Sequence, residues 1–161
     1  MWDALDAVPD PEIPVVSIRE LGILRDVRHT SDGLEIIITP TYSGCPAMGQ
    51  IEDDIRAALA QQQIRARITT QLAPAWTTDW IDAATKEKLR SYGIAPPHTT
   101  ETDSDKVIRF ARRPAALADA VACPQCGSVY TTETSHFGST ACKALYKCLD
   151  CLEPFDYFKP Y

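Results

Sequence analysis

The chain is short of histidine, of long apolar runs and of positive charge, and each shortage removes a class of function. Its only histidines are His29, His98 and His136, so imidazole catalysis has few candidates. It has no run of 18 apolar residues, so nothing reads as a membrane-spanning helix. A Gly-rich phosphate loop, H-E-x-x-H and a Ser-His-Asp set are all missing, as are internal repeats. Lys and Arg total 16 against 22 Asp and Glu, a formal net charge of -6. Such a field does not attract phosphate backbones, so nucleic acid is not an expected partner. The one basic cluster, Arg109, Arg112 and Arg113, falls in a linker-like stretch. The first residues, Met1 to Asp6, are acidic where a signal peptide would be basic, which predicts a cytoplasmic protein with reduced thiols.

Cysteine is scarce for 120 residues and then dense. Five of the six fall in the last 39 residues, and four form two C-x-x-C knuckles, Cys123-Pro-Gln-Cys126 and Cys148-Leu-Asp-Cys151, separated by 21 residues. Two thiols at that spacing can point at one tetrahedral ion, and a second knuckle completes a four-cysteine site. In a reduced compartment this pattern has no comparable structural explanation. Zinc is the expected ion and its role structural; iron competes, because Cys-Pro-x-Cys-Gly also suits a rubredoxin knuckle. Cys142 reads as a core residue, with a substitute ligand as the alternative.

Cys45 stands apart in Ser43-Gly44-Cys45-Pro46, 78 residues before the first knuckle. A free cysteine is usually a small buried hydrophobe. Pro46, however, suits the first position of a helix, placing Cys45 at or next to an N-cap where helix amides favour a thiolate. A reactive or cluster-binding thiol fits that place better than a core filler. Asp10 and Glu12 flank Pro11 in a rigid turn and could cap backbone amides. If the fold brings them beside Cys45, they could instead tune its thiolate or offer oxygen ligands. His29 as a partner of Cys45 is a weaker reading, and Glu133-x-x-His136 is a lone half-motif in a β-like stretch.

Periodicity organises the rest. A short helix over Trp2–Val8 is stopped by three prolines between Pro9 and Pro14. Ser17-Ile18-Arg19-Glu20 is a capping box opening at most a turn before Gly22. Ile23–His29 and Leu34–Thr39 predict a hairpin around Asp32-Gly33. Met48, Ile51, Ile55 and Leu59 mark one helix face, Ile64–Leu72 alternates as a strand, and a last helix capped by Thr78 or Asp79 runs to about Tyr92. The fold class is therefore an α/β (α+β) sandwich with a small mixed sheet, in the order α-β-β-α-β-α, over 1–95. A linker follows over 96–120, then a β-rich four-cysteine zinc ribbon over 121–161 with strands at Val129–Thr134, Ala144–Lys147 and Phe155–Phe158. About 40 residues cannot bury enough area to hold themselves, so the ion is expected to fold the tail.

Four segments resemble the iron–sulfur assembly domain of SufT-like proteins: Asp10-Pro11-Glu12-Ile13, Leu21-Gly22-Ile23-Leu24, Thr41 to Met48, and Pro74-Ala75-Trp76-Thr77. The tail Phe137 to Leu145, with Glu153 to Lys159, is similar to one branch of that family, PaaD, which is encoded with the multicomponent phenylacetyl-CoA epoxidase. The resemblance implies an accessory maturation factor in phenylacetate degradation rather than an enzyme. Its clients would be a di-iron oxygenase or a reductase carrying an iron–sulfur cluster and flavin. It also implies a functional thiol at Cys45, with weight on Asp10 and Glu12. One cysteine cannot hold a cluster alone, so a transient iron–sulfur cluster there would need a partner's thiol or the second Cys45 of a homodimer. Two rivals remain: a rubredoxin-like electron-transfer subunit and a non-catalytic scaffold of the epoxidase complex.

Overall fold

Alternating apolar residues after Gly22 build the first sheet. A computed structural model describes residues 2–31, 33–98 and 120–161. Within them the chain divides into two units, Met1–Tyr92 with Tyr161, and Gly93–Pro160. In the first unit, β1 (Leu24–Thr30) pairs antiparallel with β2 (Gly33–Ile38), closing with Thr30 opposite Gly33. Gly33 turns the hairpin at φ 120°, a conformation that favours glycine. Strand β2 is central and apolar on both faces, with Ile36 and Ile38 fully buried. It pairs parallel with β3 (Ala66–Thr70), and a parallel pair needs a crossover. Helix α2 (Met48–Gln61) supplies it, turning Ile51, Ile55 and Leu59 inward at the spacing of one helix face. The class and order are those the sequence predicts.

Ahead of this sheet, α1 (Trp2–Asp6) leads into the three-proline segment. That segment is closed on itself: Asp10 N–H donates to Val16 O (2.9 Å) and Ile18 N–H to Val8 O (3.0 Å). Ile13, Val16 and Ile18 pin its inner side in the core. The capping box forms reciprocally, Ser17 N–H to Glu20 Oε2 at 2.9 Å and Glu20 N–H to Ser17 Oγ at 3.2 Å. Trp76 is buried and its Nε1–H donates to Leu21 O at 2.8 Å, tying two remote segments together. Gly22 packs beside it at φ +73°, where an added Cβ would lie 3.1 Å from Trp80 Cβ.

The last helix of this unit begins later than the sequence suggests. Thr78–Trp80 is a separate 3-10 turn capped by Thr77, and α3 (Ala83–Ser91) is capped by Asp82, whose Oδ1 accepts from Thr85 N–H at 2.7 Å. Two polar residues compatible with capping lie in tandem here, and Ile81, buried and extended between them, breaks the helix. Gly93 follows at φ +94°.

The second unit is a four-stranded sheet in the order β4 (Ile94–Ala95), β7 (Pro154–Phe158), β6 (Lys143–Cys148), β5 (Thr131–Ser135). Its core gathers Ala95, Val121, Ala144, Phe155 and Tyr157 around the buried Cys123 and Cys148. Strand β4 has no signal in the sequence; two residues carry no periodicity, and only their parallel pairing with β7 makes them a strand. The expected linker core, Arg109, Arg112, Arg113 and the segments Val107–Phe110 and 115–119 lie outside the described residues. Among the described residues no helix is long and apolar enough to cross a membrane. Trp76→Phe leaves Leu21 O without its buried donor, and its expected cost is about 1–3 kcal/mol of stability, read as a lower urea midpoint.

Candidate metal centre and thiol site

The ribbon's knuckles are shaped by the backbone before any ion is considered. Cys123 N–H donates to Ser128 O at 2.8 Å, and Gly127 N–H returns to Cys123 O at 2.9 Å with Gly127 at φ +76°. The second knuckle closes similarly, with Cys148 N–H to Glu153 O at 2.9 Å and Leu152 at φ +66°. Cross-links join the two loops: Leu149 N–H donates to Tyr130 O at 2.8 Å, and the Ser128 hydroxyl bonds Asp150.

The sulfurs of Cys123, Cys126, Cys148 and Cys151 all lie within 4.8 Å of one another. Sγ of Cys123 is 3.7 Å from Cys151, and Sγ of Cys126 is 3.6 Å from Cys148. A tetrahedral ion with metal–sulfur bonds of about 2.3 Å spaces its sulfurs roughly 3.8 Å apart, so these four fit such an ion. The Cys151 N–H approaches Cys148 Sγ at 3.5 Å. That amide, with the Asp150 amide, pulls the Cys148 thiol down, while the neighbouring thiols push Cys126 and Cys151 up, so the group favours one thiolate and an ion would have to displace the other protons. Cys142 is not in this group. It is buried beside Thr140, its Sγ 3.0 Å from the hydroxyl.

Cys45 lies in the turn that precedes α2, its N–H donating to Tyr42 O at 3.1 Å. The helix N-cap is Ala47, so Cys45 stands two residues outside it rather than at it. The Ala47 backbone N–H reaches the sulfur, but the expected thiolate stabilisation does not win. Burial pushes the half-buried Cys45 thiol up, and the Glu12 and Asp10 carboxylates push the same way, against hydrogen bonds from Ala47 N–H and the Thr41 hydroxyl. The fold thus brings Asp10 and Glu12 to Cys45, a juxtaposition that spacing alone could not settle.

Asp10 serves both readings offered for it. Its Oδ1 accepts from Glu12 N–H (2.9 Å) and Ile13 N–H (2.8 Å), capping the turn that presents Glu12, while its charge bears on Cys45. Thr41, buried beside the thiol, escapes a reading by residue type; its place in the Thr41–Met48 motif is the available signal. His29 is exposed on β1 and is not among the groups acting on Cys45. Glu133, on the edge strand β5, and His136, just past its end, form only an exposed contact at 3.3 Å.

An α+β domain of the iron–sulfur assembly type, followed by a four-cysteine zinc ribbon, is the class that this fold and these sites define. Family models agree in parts: "Iron-sulfur cluster assembly protein" matches residues 1–69 and "PaaD zinc beta ribbon domain" matches 110–159. A relative from Escherichia coli (strain K12), named as a putative subunit of 1,2-phenylacetyl-CoA epoxidase, is 47% identical, covering 99% of this chain and 90% of that protein. The chain belongs to the PaaD family. A second relative, the Bacillus subtilis (strain 168) "Fe-S protein maturation auxiliary factor YitW", is 35% identical over 55% of this chain and 81% of its own length. The crystal structure of a DUF59 domain from Bacillus anthracis aligns with TM-score 0.50 at 29% identity, covering 55% of this chain and 86% of that one.

Two measurements check the sites. The protein as purified is expected to carry about one divalent ion per chain, and a strong chelator is expected to erase the amide protection of β5–β7 while sparing β1–β3. Iodoacetamide labelling of Cys45, mapped by mass spectrometry, is expected to rise at a pH above that of an ordinary thiol. Glu12→Gln removes one of the charges that hold the proton on sulfur, so its profile shifts to lower pH and labelling at pH 7 speeds up.

Proposed function

We propose that this protein is a cytoplasmic accessory maturation factor of the phenylacetyl-CoA epoxidase system, acting in phenylacetate degradation. In this reading Cys45 passes iron or an iron–sulfur cluster to a centre in the epoxidase reductase or oxygenase. The protein does no chemistry on the epoxidase substrate. The observation that carries the reading is the meeting of Cys45 with Asp10 and Glu12 in the domain that matches the assembly-protein model. One thiol whose proton is held on by burial and by two carboxylates is a weak ligand at rest, suited to hand over cargo rather than to keep it. A lone cysteine cannot complete a cluster's ligand set. The remaining thiols would come from the client, from the iron–sulfur assembly machinery, or from Cys45 of a second copy.

The names of the relatives support the same assignment, one as an epoxidase subunit and one as a maturation factor. The ribbon contributes a structural zinc ion through Cys123, Cys126, Cys148 and Cys151, which organises the tail without entering the transfer. Co-expression of the epoxidase operon with Cys45→Ala is the test. Iron and acid-labile sulfide in the purified reductase, and iron in the oxygenase, are expected to fall several-fold in one of the two while this protein's zinc stays unchanged. Normal metal content in both sinks the proposal and leaves a scaffold. Iron without sulfide in the four-cysteine site would instead indicate electron transfer.

A further inference from the structure

The ribbon carries an unusual share of the exposed apolar surface. Of eleven large hydrophobic residues exposed among the described residues, six are in β5–β7 and their loops. Four of these sit in the two joined metal-binding loops: Val129 (53%), Tyr130 (64%), Leu149 (38%) and Leu152 (63%). The Leu149–Tyr130 and Ser128–Asp150 hydrogen bonds hold those loops together, so the four side chains share one end of the ribbon. Leu152 is exposed at φ +66°, a backbone conformation in which a β-turn would normally carry glycine or asparagine.

The charge of the two loops has one sign: residues 123–130 and 148–153 contain Asp150 and Glu153 and no Lys or Arg, and the exposed Lys147 lies just outside them, opposite Pro154. Four thiolates on a divalent ion add about two further negative charges. An apolar patch flanked by two carboxylates and a net-negative metal site does not attract nucleic acid or an anionic membrane, and it disfavours a second copy of itself. We infer that the metal-binding end of the ribbon is a docking surface for a partner protein that presents apolar side chains flanked by Lys or Arg. Taking that partner to be an epoxidase subunit rests on the proposed function; the surface itself does not.

The experiment uses the full zinc-loaded chain and the purified reductase and oxygenase of the epoxidase. Dissociation constants are measured for the wild type, for Leu149→Ser with Leu152→Ser, and for Asp150→Lys with Glu153→Lys, with zinc content checked in each. Either the reductase or the oxygenase is expected to bind the wild type. The serine pair should weaken it at least tenfold, and the lysine pair should weaken it and flatten its salt dependence.

Unchanged binding by both ribbon pairs, with zinc intact, overturns the inference and leaves the maturation reading standing. Failure of the wild type to bind either protein overturns the client assignment instead. The surface is then decided by amide chemical shifts on adding a Lys/Leu amphipathic peptide and its Glu/Leu counterpart. Shifts at Tyr130, Leu149 and Leu152 with the basic peptide alone support it; shifts elsewhere, or with both, overturn it. Concentration-dependent dimerisation abolished by the serine pair would also overturn it, in favour of a second copy.

Discussion

The convergence of four sulfurs is the constraint on which the C-terminal half depends. The ribbon's core is small, and two of its members, Cys123 and Cys148, are themselves in the four-thiol group. The apolar residues Ala144, Phe155 and Tyr157 pack around the sulfurs of that group, so an ion bound there would tie ligation to core packing. A domain built this way has little interior to give up, and its remaining large apolar side chains stay outside, where they are available to another protein.

The N-terminal unit solves a different problem, how to keep one thiol half-exposed and protonated. A hydrophobic frame of Ile13, Val16 and Ile18 pins the three-proline turn, and Asp10 locks it from within by accepting two backbone N–H groups. Glu12 is thereby presented to Cys45 from an element 33 residues away in sequence. Two opposed influences meet at the sulfur: hydrogen bonds from Ala47 and Thr41 favour the thiolate, while burial and two carboxylates disfavour it and prevail. Helix-start logic alone gives the opposite sign, because it leaves out both burial and the charges arriving from elsewhere in the fold.

Much of this was legible in the residues. Apolar spacing located α2, β1–β3 and the three ribbon strands to within a few residues, and the Ser17–Glu20 capping box formed as its pattern suggests. The paired knuckles gave the four-thiol group by spacing alone, because two C-x-x-C turns leave little geometric freedom. What was not legible had no local signal. The two-residue β4 exists only through β7, the cap of α3 falls at Asp82 because Ile81 is buried and extended, and Thr41 matters only once it lies beside the sulfur.

The sequence by itself determined the order of the longer elements, the four-thiol group of the ribbon and the isolation of Cys45, since periodicity, turn chemistry and motif spacing act over a few residues. The tertiary structure alone decided that burial and the charges of Glu12 and Asp10 push that thiol up rather than down, and that Cys142 lies buried outside the four-thiol group. Those outcomes depend on through-space distances between segments remote along the chain, and on burial, neither of which linear spacing encodes.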